Sequence, residues 1–211
     1  MTHPDTGADL LAVSPVIPVV VIEDVEQAVP LALALVRGGV RIIEITLRTP
    51  AGLGAIERVA AEVPEMLTGA GTVVTAEDAA DVLKAGAHFI VAPGAPQGLL
   101  DACLATGLPL LAGTNTLTEM MRLVEHGQSA MKFFPAEASG GREYLKAVAG
   151  PMPHLRFCPT GGISPDNAAD YLALPNVGCV GGSWLTPKDA LAQGDWARIE
   201  RLAREATTLR L

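Results

Sequence analysis

Short runs of apolar residues alternate with longer amphipathic segments along the chain from Val16 onward. The apolar runs are predicted strands at residues 16–20, 40–47, 67–73, 88–93, 109–113, 130–135, 155–162 and 178–183. The other segments carry apolar residues at helical spacing and are predicted helices at residues 24–36, 51–63, 76–86, 96–107, 116–127, 141–150, 164–175 and 195–209. This alternation predicts parallel strands joined by crossover helices.

Eight strand–helix units on one chain predict an α/β fold of the closed (β/α)8 or TIM barrel type, in a single domain. We assign residues 1–14 to an N-terminal tail with a short helix, and residues 15–211 to the barrel. An open doubly wound sheet is the alternative, but it normally carries a glycine-rich turn after its first strand. Here the first strand is followed by VIEDVEQ, which contains no glycine, so the barrel is favoured.

The ends of the helices carry their own signals. Thr75 and Ser164 are predicted to cap the helices that follow them, since their hydroxyls can accept a hydrogen bond from the first turn. Glycine tolerates the left-handed conformation that ends many helices. Glycines of this kind precede the next predicted strand at positions 38, 39, 86, 107, 127 and 150.

Composition narrows the class of protein. The formal net charge is −8 and Lys and Arg do not cluster, which argues against nucleic acid and anionic membranes as partners. Cys103, Cys158 and Cys179 form no CxxC pair and read as core residues in a reducing compartment. No signal-peptide pattern and no apolar stretch of about 20 residues is present, so we expect a soluble, cytoplasmic protein.

Lys132 is the only one of the four lysines that interrupts a predicted strand, whereas Lys188 follows the last strand in a polar loop. Lys132 could be one side of a buried ion pair. Alternatively, burial between Met131 and Phe133 would favour a neutral, reactive amine that can form a Schiff base with a carbonyl. Glu44, inside the second strand, could be a structural ion-pair partner or the proton shuttle beside such an amine.

Other polar residues fall at the carboxyl ends of strands, where barrels carry their active sites. Arg48 and Thr72 could bind a carboxylate, although a surface arginine at a strand exit is the simpler interpretation of Arg48 alone. CPTGGI and VGGSWL place glycines after strands seven and eight, where backbone amides could bind a phosphate. The same glycines could serve tight turns. No HxH or HExxH spacing occurs, so no metal site is predicted.

Five motifs in order and at defined spacing resemble the 2-keto-3-deoxy-6-phosphogluconate (KDPG) and 4-hydroxy-2-oxoglutarate (KHG) aldolase family. The motifs are EITLRTP (44–50), GAGTV (69–73), KFFPAE (132–137), RFCPTGGI (156–163) and GGSWL (181–185). The resemblance runs from about Val16 to the C-terminal helix. Ala112 and Leu117 depart from it, since the family commonly has proline at both places.

The resemblance implies a class I aldolase on a (β/α)8 barrel that is a homotrimer and needs no metal or other cofactor. It implies that Lys132 forms a Schiff base with pyruvate and that Glu44 is the general acid and base. The remaining implied roles are contact with the pyruvate carboxylate or its pocket for Arg48, Thr72, Pro93, Phe134 and Thr160, and phosphate binding for Gly161, Gly162, Gly182 and Ser183.

The expected reaction is reversible cleavage of KDPG to pyruvate and glyceraldehyde 3-phosphate, with cleavage of KHG to pyruvate and glyoxylate as a second activity. An aldolase for the galactonate epimer is the nearest alternative. A phosphosugar epimerase or isomerase would share the phosphate loops but would need no lysine in strand six. A non-catalytic phosphosugar-binding barrel would need neither Lys132 nor Glu44.

Overall fold

The computed structural model describes residues 4–210. Residues 1–3 of the predicted N-terminal tail and residue 211 of the predicted barrel domain lie outside that range. The strands are β1 (Val16–Val20), β2 (Ile42–Thr46), β3 (Leu67–Gly71), β4 (Phe89–Ala92), β5 (Leu110–Thr114), β6 (Ala130–Phe133), β7 (Arg156–Pro159) and β8 (Val180–Gly182). The α-helices are α1 (Gly7–Val13), α2 (Ala28–Arg37), α3 (Gly52–Glu62), α4 (Ala76–Lys84), α5 (Gln97–Ala105), α6 (Leu117–Glu125), α7 (Gly141–Ala149), α8 (Pro165–Leu172), α9 (Lys188–Gln193) and α10 (Trp196–Thr207).

The strands form one parallel eight-stranded sheet in which each strand pairs with its neighbour in sequence. β8 returns to pair with β1, and a parallel bridge between Thr160 and Gly181 joins the end of β7 to β8. The sheet therefore closes on itself with helices between successive strands. The predicted (β/α)8 barrel is confirmed.

Burial on both faces of the sheet explains why the strands read as continuous apolar runs rather than as alternating ones. Every residue of β1 to β6 and of β8 is buried, and Arg156 at the start of β7 is the exposed exception. Side chains that point inward fill the barrel, and those that point outward pack under the helices. On α7, Tyr144 stacks on the Phe133 ring of β6 with the ring centroids 5.4 Å apart.

The ends of the helices follow the sequence signals with two exceptions. Gly39, Gly86, Gly107 and Gly127 have positive φ, as glycines that end helices do. Gly38 has φ −75° and Gly150 has φ −64°, so the expectation of a left-handed glycine is wrong at both positions. The chain continues from α7 in a right-handed conformation because Met152 N still bonds back to Val148 O at 3.0 Å.

α1 packs against the amino-terminal end of the barrel, away from the strand ends that carry the candidate site. Its Leu10 and Leu11 are buried. Gly7 lies so close to β5 that a Cβ there would stand 2.6 Å from the carbonyl oxygen of Leu110. Thr6 caps the helix and Asp9 returns the bond, with Asp9 Oδ2 accepting from Thr6 N at 3.0 Å. This helix therefore contributes to the core rather than to the site.

Candidate active site

Two charged side chains lie in the barrel interior almost completely removed from solvent. Lys132 on β6 and Glu44 on β2 are each 3% exposed. The Nζ atom of Lys132 donates a hydrogen bond to Oε1 of Glu44 at 3.2 Å, so the two residues form a buried ion pair. Such a pair stabilises both charges away from water, and its hydrogen bond is a path for proton transfer.

The topology brings these two residues together although 88 positions separate them along the chain. β2 and β6 lie opposite each other, with β3, β4 and β5 between them on one side and β1, β8 and β7 on the other. Side chains of opposite strands can meet only along the barrel axis. The carboxylate of Glu44 fits there because Gly71 on β3 has no side chain, and a Cβ at Gly71 would overlap it.

Phe134 connects the buried pair to the opening of the barrel. Its ring centroid is 5.3 Å from Nζ of Lys132, within the range of a cation–π contact. Phe134 is itself half-buried and lines the cavity above the pair. The ring therefore lies against both the amine and the cavity.

Arg48 and Thr72 form a second unit at the strand ends. Nε of Arg48 donates to Oγ1 of Thr72 at 3.1 Å. Thr72 has φ +60°, which is rare for a β-branched residue and strained. Thr72 is the residue that follows the end of β3. The pair can bind a carboxylate through one guanidinium and one hydroxyl.

A cavity of about 470 Å³ opens at this end of the barrel. Its charged lining residues are Arg48 and Lys188, and no acidic side chain of residues 4–210 lines it. This is notable in a protein of net charge −8, because local groups make the cavity favourable to an anion. The uncharged lining includes Phe134, Thr160, Gly161, Gly162, Gly181, Gly182 and Ser183.

The glycine loop after β7 is held in place from below. Gly161 and Gly162 have φ of +99° and +79°, so side chains there would be strained. A Cβ at Gly162 would also overlap the side chain of Glu137. The carboxylate of Glu137 accepts a hydrogen bond from the buried hydroxyl of Tyr171. Burial, together with this carboxylate, raises the pKa of the Tyr171 phenol and keeps it a donor.

Thr160 and Pro93 occupy different surroundings. Thr160 is 7% exposed, and its hydroxyl lies against the Cα of Gly181, where a Cβ would overlap it. Pro93 follows β4, and its carbonyl lies against Gly113 of β5. Among the described residues, Pro93 is not one of those that line the cavity. Its carbonyl is separated from Lys132 by Gly113, the residue of β5 that pairs with Lys132.

Most of the predicted site residues converge on one end of the barrel. Seven line the cavity, Lys132 and Glu44 lie in the barrel interior, and Thr72 joins the site through Arg48. The roles of the individual residues stay predictions. Lys188 was not predicted to belong to the site, yet it lines the cavity. Its place five residues after Ser183, beyond the end of strand eight, was the available signal.

Residues 4–210 contain neither a metal-binding cluster nor a membrane-spanning helix. No group of three or more His, Cys, Asp or Glu side chains within that range is arranged to hold a metal ion. No helix in the same range is long and apolar enough to cross a bilayer.

A parallel barrel with a buried lysine–carboxylate pair beside a cation-lined cavity defines an enzyme of the (β/α)8 class that acts on small anions. Comparison with known proteins narrows this class. The family model for KDPG and KHG aldolases matches residues 8–202. The chain belongs to this family, and the resemblance inferred from its motifs is confirmed.

Two curated relatives and one crystal structure illustrate the similarity. The chain is 52% identical over 201 residues to the 2-dehydro-3-deoxy-phosphogluconate aldolase of Pseudoalteromonas atlantica, covering 95% of this chain and 94% of that one. The chain is also 52% identical over 201 residues to the KHG/KDPG aldolase of Escherichia coli K12, with the same coverage of the two chains. The KDPG aldolase of Legionella pneumophila superimposes with a TM-score of 0.94 at 44% identity, covering 96% and 98% of the two chains. That structure holds pyruvate captured at low pH as a covalent carbinolamine intermediate.

Proposed function

We propose that this protein is a class I aldolase that reversibly cleaves KDPG to pyruvate and glyceraldehyde 3-phosphate. The observation that carries the proposal is the buried Lys132–Glu44 pair, with 3.2 Å between Nζ and Oε1, beside a cavity whose charged side chains are all cationic. The covalent carbinolamine of the Legionella relative supports the same chemistry here.

Lys132 is the proposed nucleophile. Transfer of its proton to Glu44 leaves a neutral amine, which adds to the C2 ketone of the substrate to give a carbinolamine. Glu44 gives that proton to the carbinolamine hydroxyl, which leaves as water, so that an iminium ion at Nζ and an ionised Glu44 carboxylate remain. The iminium is an electron sink, so cleavage of the C3–C4 bond leaves a neutral enamine instead of a free enolate.

Glu44 is the proposed acid and base. Its carboxylate removes the proton of the C4 hydroxyl as the C3–C4 bond breaks, and the aldehyde product leaves. The protonated Glu44 then returns a proton to C3 of the enamine, and hydrolysis of the resulting imine releases pyruvate. One carboxylate can serve both steps because it lies within hydrogen-bond distance of the nitrogen on which the intermediates are built.

The rest of the site is proposed to hold the two anionic ends of the substrate. Arg48, with Thr72 hydrogen-bonded to it, would bind the carboxylate next to the reacting ketone. Gly161, Gly162, Gly182 and Ser183 would bind the phosphate through backbone amides and a hydroxyl. Thr160, Phe134 and Pro93 would shape the pyruvate pocket between these ends.

KHG is the proposed second substrate, because a relative of equal similarity carries both names. Its cleavage to pyruvate and glyoxylate uses the same lysine and carboxylate and leaves the phosphate loops empty. We further propose a cytoplasmic homotrimer that needs no metal or other cofactor, on the basis of the resemblance. Sedimentation velocity and turnover in excess chelator test the trimer and the metal independence.

Borohydride trapping with pyruvate, followed by peptide mass mapping, tests the proposal. We expect a reduced pyruvyl adduct on Lys132 in the wild type and none in Lys132→Met. The variant Lys84→Met is the matched control, since Lys84 is an exposed lysine paired with Asp81 on α4. Folded wild-type protein that gives no adduct, or an adduct on another lysine, would refute the assignment.

A further inference from the structure

Lys188, the first residue of α9, occupies the rim of the candidate site. It is exposed, and it lines the 470 Å³ cavity together with Gly162, Gly182 and Ser183. We propose that Lys188 is a cationic ligand for the substrate phosphate and that it sets the preference for phosphorylated over unphosphorylated substrates. This inference rests on the aldolase function proposed above, and it adds a residue outside the five motifs of the family resemblance.

Lys188 forms no ion pair with another described residue. All four lysines are among the described residues, and the other three form ion pairs, namely Lys84 with Asp81, Lys132 with Glu44 and Lys146 with Glu143. For Lys188, by contrast, no carboxylate of residues 4–210 lies within ion-pair distance. A flexible lysine with a free ammonium can adjust its position to a ligand.

Two carboxylates on neighbouring segments have other partners, whereas Glu23 lines a second cavity together with Lys188. Asp189, the next residue, accepts a hydrogen bond from Nη1 of Arg198 at 2.6 Å. This contact lowers the pKa of the Asp189 carboxyl, which keeps it ionised and directed toward α10. Glu137, which lies against Gly162, accepts from Tyr171. Asp189 and Glu137 are thus held by other groups, and within residues 4–210 Glu23 forms no ion pair with Lys188.

The position of Lys188 distinguishes it from Arg48, the other cation of the cavity. Arg48 is held by Thr72 at the exit of β2. Lys188 follows β8, on the side of the cavity that carries Gly182 and Ser183. A substrate with a carboxylate at one end and a phosphate at the other would therefore meet one protein cation at each end.

A cation at the phosphate end of the cavity should favour phosphorylated over unphosphorylated substrates. A phosphate carries up to two negative charges at neutral pH and gains from a cation beside the amide and hydroxyl donors. KHG has no phosphate, so its cleavage draws no comparable benefit from Lys188. Because Lys188 is exposed and solvent screens its charge, we expect an effect of about three- to ten-fold on affinity for the phosphorylated substrate.

The test compares kcat/KM for KDPG and KHG in the wild type, Lys188→Met, Lys188→Arg and the control Lys84→Met. We expect Lys188→Met to raise KM for KDPG by about three- to ten-fold and to lower the KDPG-to-KHG ratio of kcat/KM by the same factor. Lys188→Arg should restore most of the ratio because the positive charge is kept. Lys84→Met changes the net charge equally and should match the wild type.

Inorganic phosphate provides a second readout that does not depend on turnover. Titration calorimetry should show weaker phosphate binding to Lys188→Met than to Lys84→Met, with the difference shrinking at high salt. Equal losses for both substrates, or equal phosphate affinity in the two variants, would overturn the role of Lys188 while leaving the aldolase reaction intact. Failure of the aldolase proposal would look different, because no variant would then release pyruvate from either substrate.

Discussion

Removing both charges of the Lys132–Glu44 pair is expected to destabilise the barrel by less than the two single removals combined. Nζ and Oε1 are 3.2 Å apart and both side chains are 4% exposed. At that distance the attraction is about 5 kcal/mol for an effective dielectric constant of about 20, and desolvation of the two charges offsets much of it. Glu44→Gln or Lys132→Met alone leaves a buried charge without a partner, which typically costs about 3–5 kcal/mol.

A double-mutant cycle compares the wild type, Glu44→Gln, Lys132→Met and the double variant. Their free energies of unfolding are measured by urea unfolding at a fixed protein concentration, followed by far-ultraviolet circular dichroism. Glutamine keeps the shape of glutamate, and methionine has nearly the length of lysine, so the double variant preserves the packing. We expect its loss of stability to be smaller than the sum of the single losses by about 2–3 kcal/mol.

The exposed pair between Lys84 and Asp81 gives the matched cycle, and its coupling should not exceed about 1 kcal/mol. Additive losses at Lys132 and Glu44, equal within about 0.5 kcal/mol, would refute the existence of a coupled charge pair in the folded protein.

Three further predictions concern residues around or outside the site. Thr72→Gly should be more stable than Thr72→Ala by about 1 kcal/mol, because only glycine relieves the positive φ; equal melting temperatures would contradict the strain. Burial acts to raise the pKa of Glu119, but hydrogen bonds from Asn115 and Thr116 outweigh it and lower the pKa. The stabilisation by ionised Glu119 is therefore present above the unfolded pKa of about 4.3 and is lost as pH falls through the folded pKa. Glu119→Gln should cost about 1 kcal/mol at pH 7 and progressively less in acid, and a difference independent of pH would be inconsistent with this. Burial raises the pKa of the Cys103 thiol to about 11, so stability should fall as pH rises from about 8.5 toward that value, and less steeply in Cys103→Ala; parallel alkaline unfolding profiles would argue against it.

The fold could be predicted because its main determinants are local. Each strand is an apolar run buried on both faces, and each crossover is an amphipathic helix, so eight repeats left few topologies open. The predicted helix cap at Thr75 is a local feature of the same kind. Its hydroxyl accepts a hydrogen bond from Asp78 N at 3.0 Å. The prediction of a left-handed conformation at Gly150 was wrong because the sequence does not show whether the residues after a helix still donate hydrogen bonds to its last turn.

The site was predictable only in part because its geometry depends on distant strands. Lys132 attracted notice as a charge inside an apolar run, but its contact with Glu44 required the closed ring. The positive φ of Thr72 has no signature in its residue type. Lys188 was missed because a lysine in a polar loop is ordinary, and α9, the helix that it begins, was not predicted.

The position of β2 and β6 on opposite sides of the ring has a consequence for folding. No fragment of four consecutive strands contains both β2 and β6, so neither half of the chain can assemble the catalytic pair by itself. Turnover would then report completion of the whole barrel during refolding, later than signals that follow secondary structure alone. Two halves of the chain that are produced separately should each be inactive, and activity should appear only when they associate into one barrel.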